Sequence, residues 1–290
     1  MRAAFALLVL AAALAPPSAQ ERFRSDVHLV TMDVTVRAGG SPVRGLRSTD
    51  FVVVDSGVPR EVTAVYADTL PIDVTLLLDT SGSMVGTLDA MRSNIRDVAS
   101  KLTPDDRLRV MTVADDVREL VPFQPARAPL TLDTLTAGGW TPLYDGLGLA
   151  LLRRRVPDRG HLIVIFSDGD DSASTLSLDA VDDLARRSSA VVHVFGIGPA
   201  RPPGRNPRLP DAPPIPPVGR VADATGGRAV SMRAGEDIPS GFRAALEDFR
   251  FRYVVSWAGD ATPVPGWHPV TVRVTRPGKF DVRTRPGYVQ

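Results

Sequence analysis

The chain has 290 residues, 43% of them hydrophobic, and a formal net charge of +1 at pH 7. That length and composition suit one large or two modest globular domains, and a charge so close to zero argues against an electrostatic nucleic-acid binder, which would show a basic face. With no cysteine in the chain, neither a disulfide framework nor a cysteine-borne lipid anchor is available, so stability has to come from an apolar core.

Residues 1–19 place one early positive charge, Arg2, before an apolar run over 3–15 and the small-residue stretch Pro16-Pro17-Ser18-Ala19. That order predicts a secretory leader cut near Ala19. The run falls short of the ~20 apolar residues that spanning a bilayer takes, and no later stretch is apolar enough to span. The mature chain is therefore expected to be exported, to a periplasm or the exterior, without a transmembrane segment.

Residues 25–68 alternate in the strand manner, with Val27 and Leu29, then Met32, Val34 and Val36, a turn at 38–42, and two further strands around Ser56-Gly57. No helical period appears, which predicts a small antiparallel β unit ending at Leu70-Pro71. From residue 71 to 249 the pattern changes to strands alternating with helices, the mark of a mostly parallel sheet covered on both faces. Strands are expected at 74–78, 108–113, 117–121, 162–166, 191–197 and 228–231, and helices at 87–102, 143–154, 178–187, 218–224 and 237–249. The strand at 117–121 follows its predecessor too closely for a crossover helix and reads as an antiparallel edge. Residues 199–217 are thick with proline and read as an extended surface insertion, with partner docking the lesser alternative. Strand patterns return in 251–290, which is expected to pair with 25–68 into a sandwich-like unit beside the α/β domain.

The chemistry gathers where the strand 74–78 stops, at Asp79-Thr80-Ser81-Gly82-Ser83. A buried parallel strand running into such a loop and then a helix puts Asp79, Ser81 and Ser83 in the crevice beyond the strand ends, where open α/β sheets bind ligands. These side chains offer oxygen alone, which suits a hard cation. Taken by itself the spacing also fits a turn whose serines cap the following helix.

Asp-x-Ser-x-Ser after a hydrophobic strand resembles the metal-ion-dependent adhesion site of von Willebrand factor type A domains. The resemblance implies a Rossmann-like doubly wound α/β fold, and a site completed by a distant threonine and a distant aspartate. Both are present in the expected contexts. Thr141 follows Gly138-Gly139-Trp140 at the start of a helical pattern, and Asp168 ends the strand 162–166 in Ser167-Asp168-Gly169. The carry-over makes Ser81, Ser83 and Thr141 direct ligands, with Asp79 and Asp168 ligating or orienting water. The implied ion is magnesium, with calcium or manganese as alternatives, and the implied partner is a protein that offers an Asp or Glu carboxylate to an open position on the ion. The Trp267-His268-Pro269-Val270 and Arg285-Pro286-Gly287-Tyr288 stretches and the segment 50–57 resemble a bacterial exported subfamily of these proteins.

Nearby Asp145, Asp170 and Asp171 read as solvent-facing or helix-capping charge, the alternative being a larger site better suited to calcium. Met84, Val85 and Trp140 are expected to rim the crevice, with Trp140 either a partner anchor or a core residue. No Gly-x-Ser-x-Gly elbow, phosphate loop or dinucleotide fingerprint is present, and His28, His161, His193 and His268 have no ligand spacing. The sequence thus reads as an exported binding module and not as an enzyme. A metal-dependent hydrolase and an envelope scaffold with a purely structural ion are the competing classes.

Overall fold

The computed structural model describes residues 28–67, 70–153, 156, 158–198, 215–233, 238–260 and 264–290. The leader expected at 1–19 lies outside these residues, as does most of the proline-rich stretch, 199–214.

The chain opens with β1 (Leu29–Ala38), β2 (Ser41–Pro42), β3 (Phe51–Asp55), β4 (Val58–Arg60) and β5 (Val62–Ala67). In β1 the inward set is Val30, Met32, Val34 and Val36. Met32, Val34 and Val36 face in as expected, whereas Leu29 points out at 56% exposure and Val30 takes the inward position; Val27 lies outside the described residues. The α/β part follows: β6 (Ile72–Asp79), α1 (Leu88–Lys101), β7 (Arg107–Ala114), β8 (Asp116–Pro125), α2 (Leu143–Leu151), β9 (Gly160–Ser167), α3 (Leu178–Arg187), β10 (Val191–Gly198), α4 (Gly219–Thr225), β11 (Ala229–Arg233) and α5 (Ile238–Arg250). The chain closes with β12 (Arg252–Ala258), β13 (Trp267–Val274), β14 (Asp281–Thr284) and β15 (Gly287–Val289).

The central sheet runs β11-β10-β9-β6-β7-β8. Its pairings are parallel except for β7 with β8, the antiparallel edge that the short connection demands. All of β6 is buried, as a strand needs to be when both neighbours and both faces are covered. Ile72, Val74, Leu76 and Leu78 point into one apolar layer with Met91, Ile95 and Phe242 of α1 and α5. Leu77 enters the opposite layer with Leu143, Val181 and Val221 of α2, α3 and α4. This is the doubly wound arrangement expected for the α/β part.

Two helix boundaries differ from the periodicity. The helix expected at 87–102 starts one residue later, at Leu88, because Thr87 ends a 3-10 segment, Gly82–Thr87. Helix α2 stops at Leu151, where the reading continued to 154. Arg153 leaves the helical path and its guanidinium reaches Asp73 at the start of β6, 2.5 Å away.

The two ends of the chain build one sandwich. One sheet orders β14-β1-β12-β5 and the other β15-β13-β3-β4. β1 pairs with β12 and β14, and β3 with β13, all antiparallel. The α/β part is thus inserted between β5 and β12. Val34, Phe51, Val53, Tyr253, Val255, Trp257 and Val272 fill the space between the sheets. Asp55 is the polar pin of this core: it is 1% exposed and accepts from Trp257 Nε1 at 2.9 Å and Tyr288 Oη at 3.0 Å. The closing tail, singled out above only as a motif, is itself strand β15 on the edge of β13.

Candidate metal centre

Side by side in the sheet, β6 ends at Asp79 and β9 ends at Ser167. Their pairing carries Leu78 opposite Phe166, which leaves the next residues adjacent beyond the ladder. Ser167 Oγ donates to Asp79 Oδ2 at 2.7 Å, and the Ser81 N–H donates to Asp79 Oδ1 at 2.9 Å. Ser81 Oγ and Ser83 Oγ lie 3.1 Å apart. Asp79 is fully buried and Ser81 nearly so, whereas Ser83 is exposed and Asp168 half-buried. Burial pushes the Asp79 carboxyl above its ordinary value; the hydrogen bonds from Ser167 and Ser81 oppose that, and the charge of Asp168 adds to it.

Thr141 is delivered by a loop stitched to the Asp79 turn. Gly138 N donates to Thr80 O at 2.9 Å and Gly82 N to Gly139 O at 3.2 Å. Thr141 is 5% exposed and precedes α2, whose N-cap residue is Pro142 and has no capping side chain. The orphan N–H groups at that end are taken by the loop after Asp168. The Thr141 N–H donates to Ser172 Oγ at 2.9 Å, Tyr144 N–H to Asp171 Oδ2 at 2.9 Å, and Asp145 N–H to Ser174 Oγ at 3.0 Å. Asp145 returns the favour, accepting from the N–H groups of Thr175 and Leu176. Capping across two loops satisfies amides that would otherwise be buried without partners, and it holds the Thr141 and Asp168 segments against each other.

The structure therefore brings together the loops that carry Asp79, Ser81, Ser83, Thr141 and Asp168. The Asp171 carboxyl serves the α2 terminus, the Asp145 carboxyl serves the loop before α3, and Asp170 is exposed. Met84 does not rim the crevice: the 3-10 turn rotates it into the core at 2% exposure, and presents Val85 at 59%. Trp140 is 68% exposed, which rules out the core alternative. The helix-capping reading of Asp171 holds; sequence reasoning passed over Ser167, although Ser167-Asp168 ends a strand as Asp79 does, and passed over Ser172 and Ser174.

The donor set fits a hard cation. It supplies hydroxyl and carboxyl oxygens, and among the described residues no Lys or Arg pairs with Asp79 or Asp168. Nor, among the described residues, do three His, Asp or Glu side chains gather as a metal cluster, so hydroxyls would have to share the ligation. The buried histidines lie elsewhere. His161 contacts Thr75 Oγ1 at 3.0 Å and burial pushes it down to about 3. His193, on β10, is pushed down by burial to about 4.

Compared with known proteins, residues 73–206 match the family model described as the von Willebrand factor type A domain. No curated protein matches the chain. Among solved structures, the chain is similar to proximal thread matrix protein 1 of the mussel byssus, in two structures, at 18% and 21% identity. Each covers 47% of this chain, with TM-scores of 0.39 and 0.38, and the match spans only 40% and 38% of that protein. It is also similar to a von Willebrand factor type A protein from Catenulispora acidiphila, at 13% identity over 92% of this chain and 75% of that one, with a TM-score of 0.45. The manganese-loaded TRAP protein of Plasmodium vivax is similar at 15% identity over 81% of this chain and 97% of that one, with a TM-score of 0.43. Among the described residues no helix is long and apolar enough to cross a membrane.

Proposed function

This chain carries a von Willebrand factor type A domain, and from that premise we propose that it is an exported binding module that grips an acidic residue of a partner protein through a divalent cation. Domains of this family serve chiefly as protein-interaction modules. The observation that carries the finer reading is the Asp79 carboxylate. It is 0% exposed, it accepts from the Ser81 N–H and the Ser167 hydroxyl, both neutral donors, and no cation among the described residues compensates it. A buried charge left in that state is costly unless something pairs with it. A hard cation would be that partner, with Ser81, Ser83 and Thr141 as ligands and Asp79 and Asp168 as ligands or water-orienting groups; magnesium is the first choice, manganese and calcium the alternatives.

A bound ion would supply a positive centre for an incoming carboxylate. The chain's own groups do the rest: the Asp79 turn, the Thr141 loop and the Asp168 loop are tied by backbone bonds and cross-loop caps, so the oxygens are arranged before any partner arrives. No histidine lies beside this set to act as a base, which weighs against hydrolysis. The leader expected at 1–19 would direct the module to the periplasm or outside the cell.

Calorimetry tests the reading. One magnesium or manganese site is expected in the wild type, and Asp79→Ala and Ser81→Ala should each abolish it. Partner capture from an envelope extract should then vanish with chelator. Metal binding untouched by both substitutions refutes the site. Capture that survives chelation favours the scaffold class instead, and ester or phosphoester turnover would favour the hydrolase.

A further inference from the structure

Resting on the ion-site reading above, we propose that Trp140 and Val85 form the apolar half of the partner footprint. The partner then presents a carboxylate with a bulky apolar side chain beside it, on the same short segment.

The local backbone is shaped to hold Trp140 in place with its side chain outward. Asp115 sits at φ +53°, a conformation uncommon outside glycine. From there its N–H donates to Trp140 O at 2.8 Å, and its Oδ1 accepts the Trp140 N–H at 2.9 Å. Gly139, at φ +82°, makes room: a Cβ there would lie 2.2 Å from the Asp115 carboxyl carbon. The β7-to-β8 turn residue Asp115, whose positive φ the tight reversal between paired Ala114 and Asp116 requires, and Gly139 thus fix the main chain of a residue that is 68% exposed. Trp257, the core tryptophan, has 0% exposure and a buried partner for its indole N–H; Trp140 is spent on the surface.

Val85 comes from the facing loop. Met84 beside it is buried and anchors the 3-10 turn, so the 59% exposed Val85 is held outward as well. Gly82 N bonding to Gly139 O at 3.2 Å ties the two loops. Each apolar side chain neighbours a proposed ligand, Trp140 next to Thr141 and Val85 two residues after Ser83. Tryptophan is enriched among the few residues that dominate interface energy. The surrounding charge selects the occupant: Asp115, Asp168 and Asp170 repel a free carboxylate, so an acidic segment docks here only through the cation, and its apolar neighbour meets Trp140.

A phage-displayed peptide library panned on the full chain in manganese, with elution by chelator, tests this. Recovered peptides should carry Asp or Glu adjacent to Leu, Ile, Phe or Trp. Trp140→Ala should retain manganese affinity within about twofold and weaken the recovered peptides by about 10- to 100-fold, the range of an interface anchor; Val85→Ser should weaken them less. Unchanged peptide affinity in Trp140→Ala, chelator-eluted peptides with no apolar neighbour, or no chelator-eluted peptides from a chain that binds manganese would overturn this inference alone. Absence of manganese binding in the wild type would overturn the ion-site reading and this one with it.

Discussion

Asp73→Asn is expected to be severe although it lies outside the candidate site. The Asp73 side chain, 1% exposed, lies at the start of β6, where three guanidiniums converge. Arg107 donates through Nε at 2.8 Å and Nη2 at 2.5 Å, Arg153 through Nη2 at 2.5 Å, and Arg159 through Nε at 2.6 Å. Burial pushes the carboxyl up, but the hydrogen bonds from Arg107, Arg153 and Arg159 outweigh it and hold it well below the usual carboxylate range. Asparagine keeps the shape, loses the charge, and turns an N–H2 toward a guanidinium. Removing one partner of a buried ion cluster costs about 3–5 kcal/mol. The Arg107 side chain is 34% exposed and rehydrates easily, whereas Arg153 and Arg159 are 16% and 18% exposed, so the lower end, about 3 kcal/mol, is expected. At about 2–4 °C per kcal/mol for a domain of this size, Tm should fall by about 6–12 °C in a thermal scan. The pH dependence supplies a second check. A carboxyl whose folded pKa is depressed stabilises fully above its unfolded pKa, and that stability is lost as pH falls through the folded pKa. The gap between wild type and Asp73→Asn should therefore hold from pH 7 to 5 and narrow below about pH 4. A loss under about 1 kcal/mol, the worth of an exposed pair, would refute the reasoning.

His193 is 3% exposed, and burial first, then Arg228 and Arg283 against the opposing pull of Asp248, set its pKa at about 4, below the ordinary 6.5. Below pH 6.5 the unfolded chain takes a proton that the folded chain refuses, so stability should fall by about 1.4 kcal/mol per pH unit, roughly 3 kcal/mol by pH 4; urea midpoints that fall just as steeply in His193→Leu would contradict this. Asp55→Ala strands Trp257 Nε1 and Tyr288 Oη, and should cost about 2–4 kcal/mol with loss of near-UV tryptophan dichroism. Asp79→Asn removes an uncompensated buried charge, so without metal it should melt no lower than wild type, while the upward Tm shift on adding magnesium should disappear; a metal-free melting point several degrees lower would count against the reading.

How far the sequence led depended on the distance over which each feature is specified. Strand β6 and its loop are local: an apolar run, a carboxylate and two serines within ten residues announced the strand and the loop that the proposed function builds on, and the alternating pattern from 71 to 249 was enough for the doubly wound sheet. Met84 was misplaced because its burial is set by a 3-10 turn, Gly82–Thr87, that the apolar period beginning at Leu88 does not signal, whereas Val85 is exposed as expected. Asp145 and Asp171 could be read as capping charge, but the helix end and loop they would meet could not, for another reason. Pro142 cannot cap α2 with its side chain, and nothing local says that Asp171 and Ser174, about thirty positions on, will do so. The sandwich is longer-range still, since Asp55 meets Trp257 across 202 positions; alternation reveals that each strand has an inward face but not which strand shares its sheet.

The two ends of β6 make an internal control for the site. Both carry an aspartate and both aspartates are buried, one strand-length apart in the same sheet. At Asp73 the chain supplies three arginines and the carboxyl is held low. At Asp79 it supplies a serine hydroxyl and a backbone N–H, and the carboxyl is pushed up. This chain is rich in arginine and can evidently neutralise a buried carboxylate where the carboxylate only has to be structural. A protein cation at Asp79 would occupy the space an ion needs and block the crevice at the strand ends. On the ion-site proposal, the lack of a counter-charge among the described residues leaves that charge to be met from solution. The two substitutions should accordingly part company in one experiment: Asp73→Asn loses stability with or without magnesium, while Asp79→Asn loses only what magnesium adds.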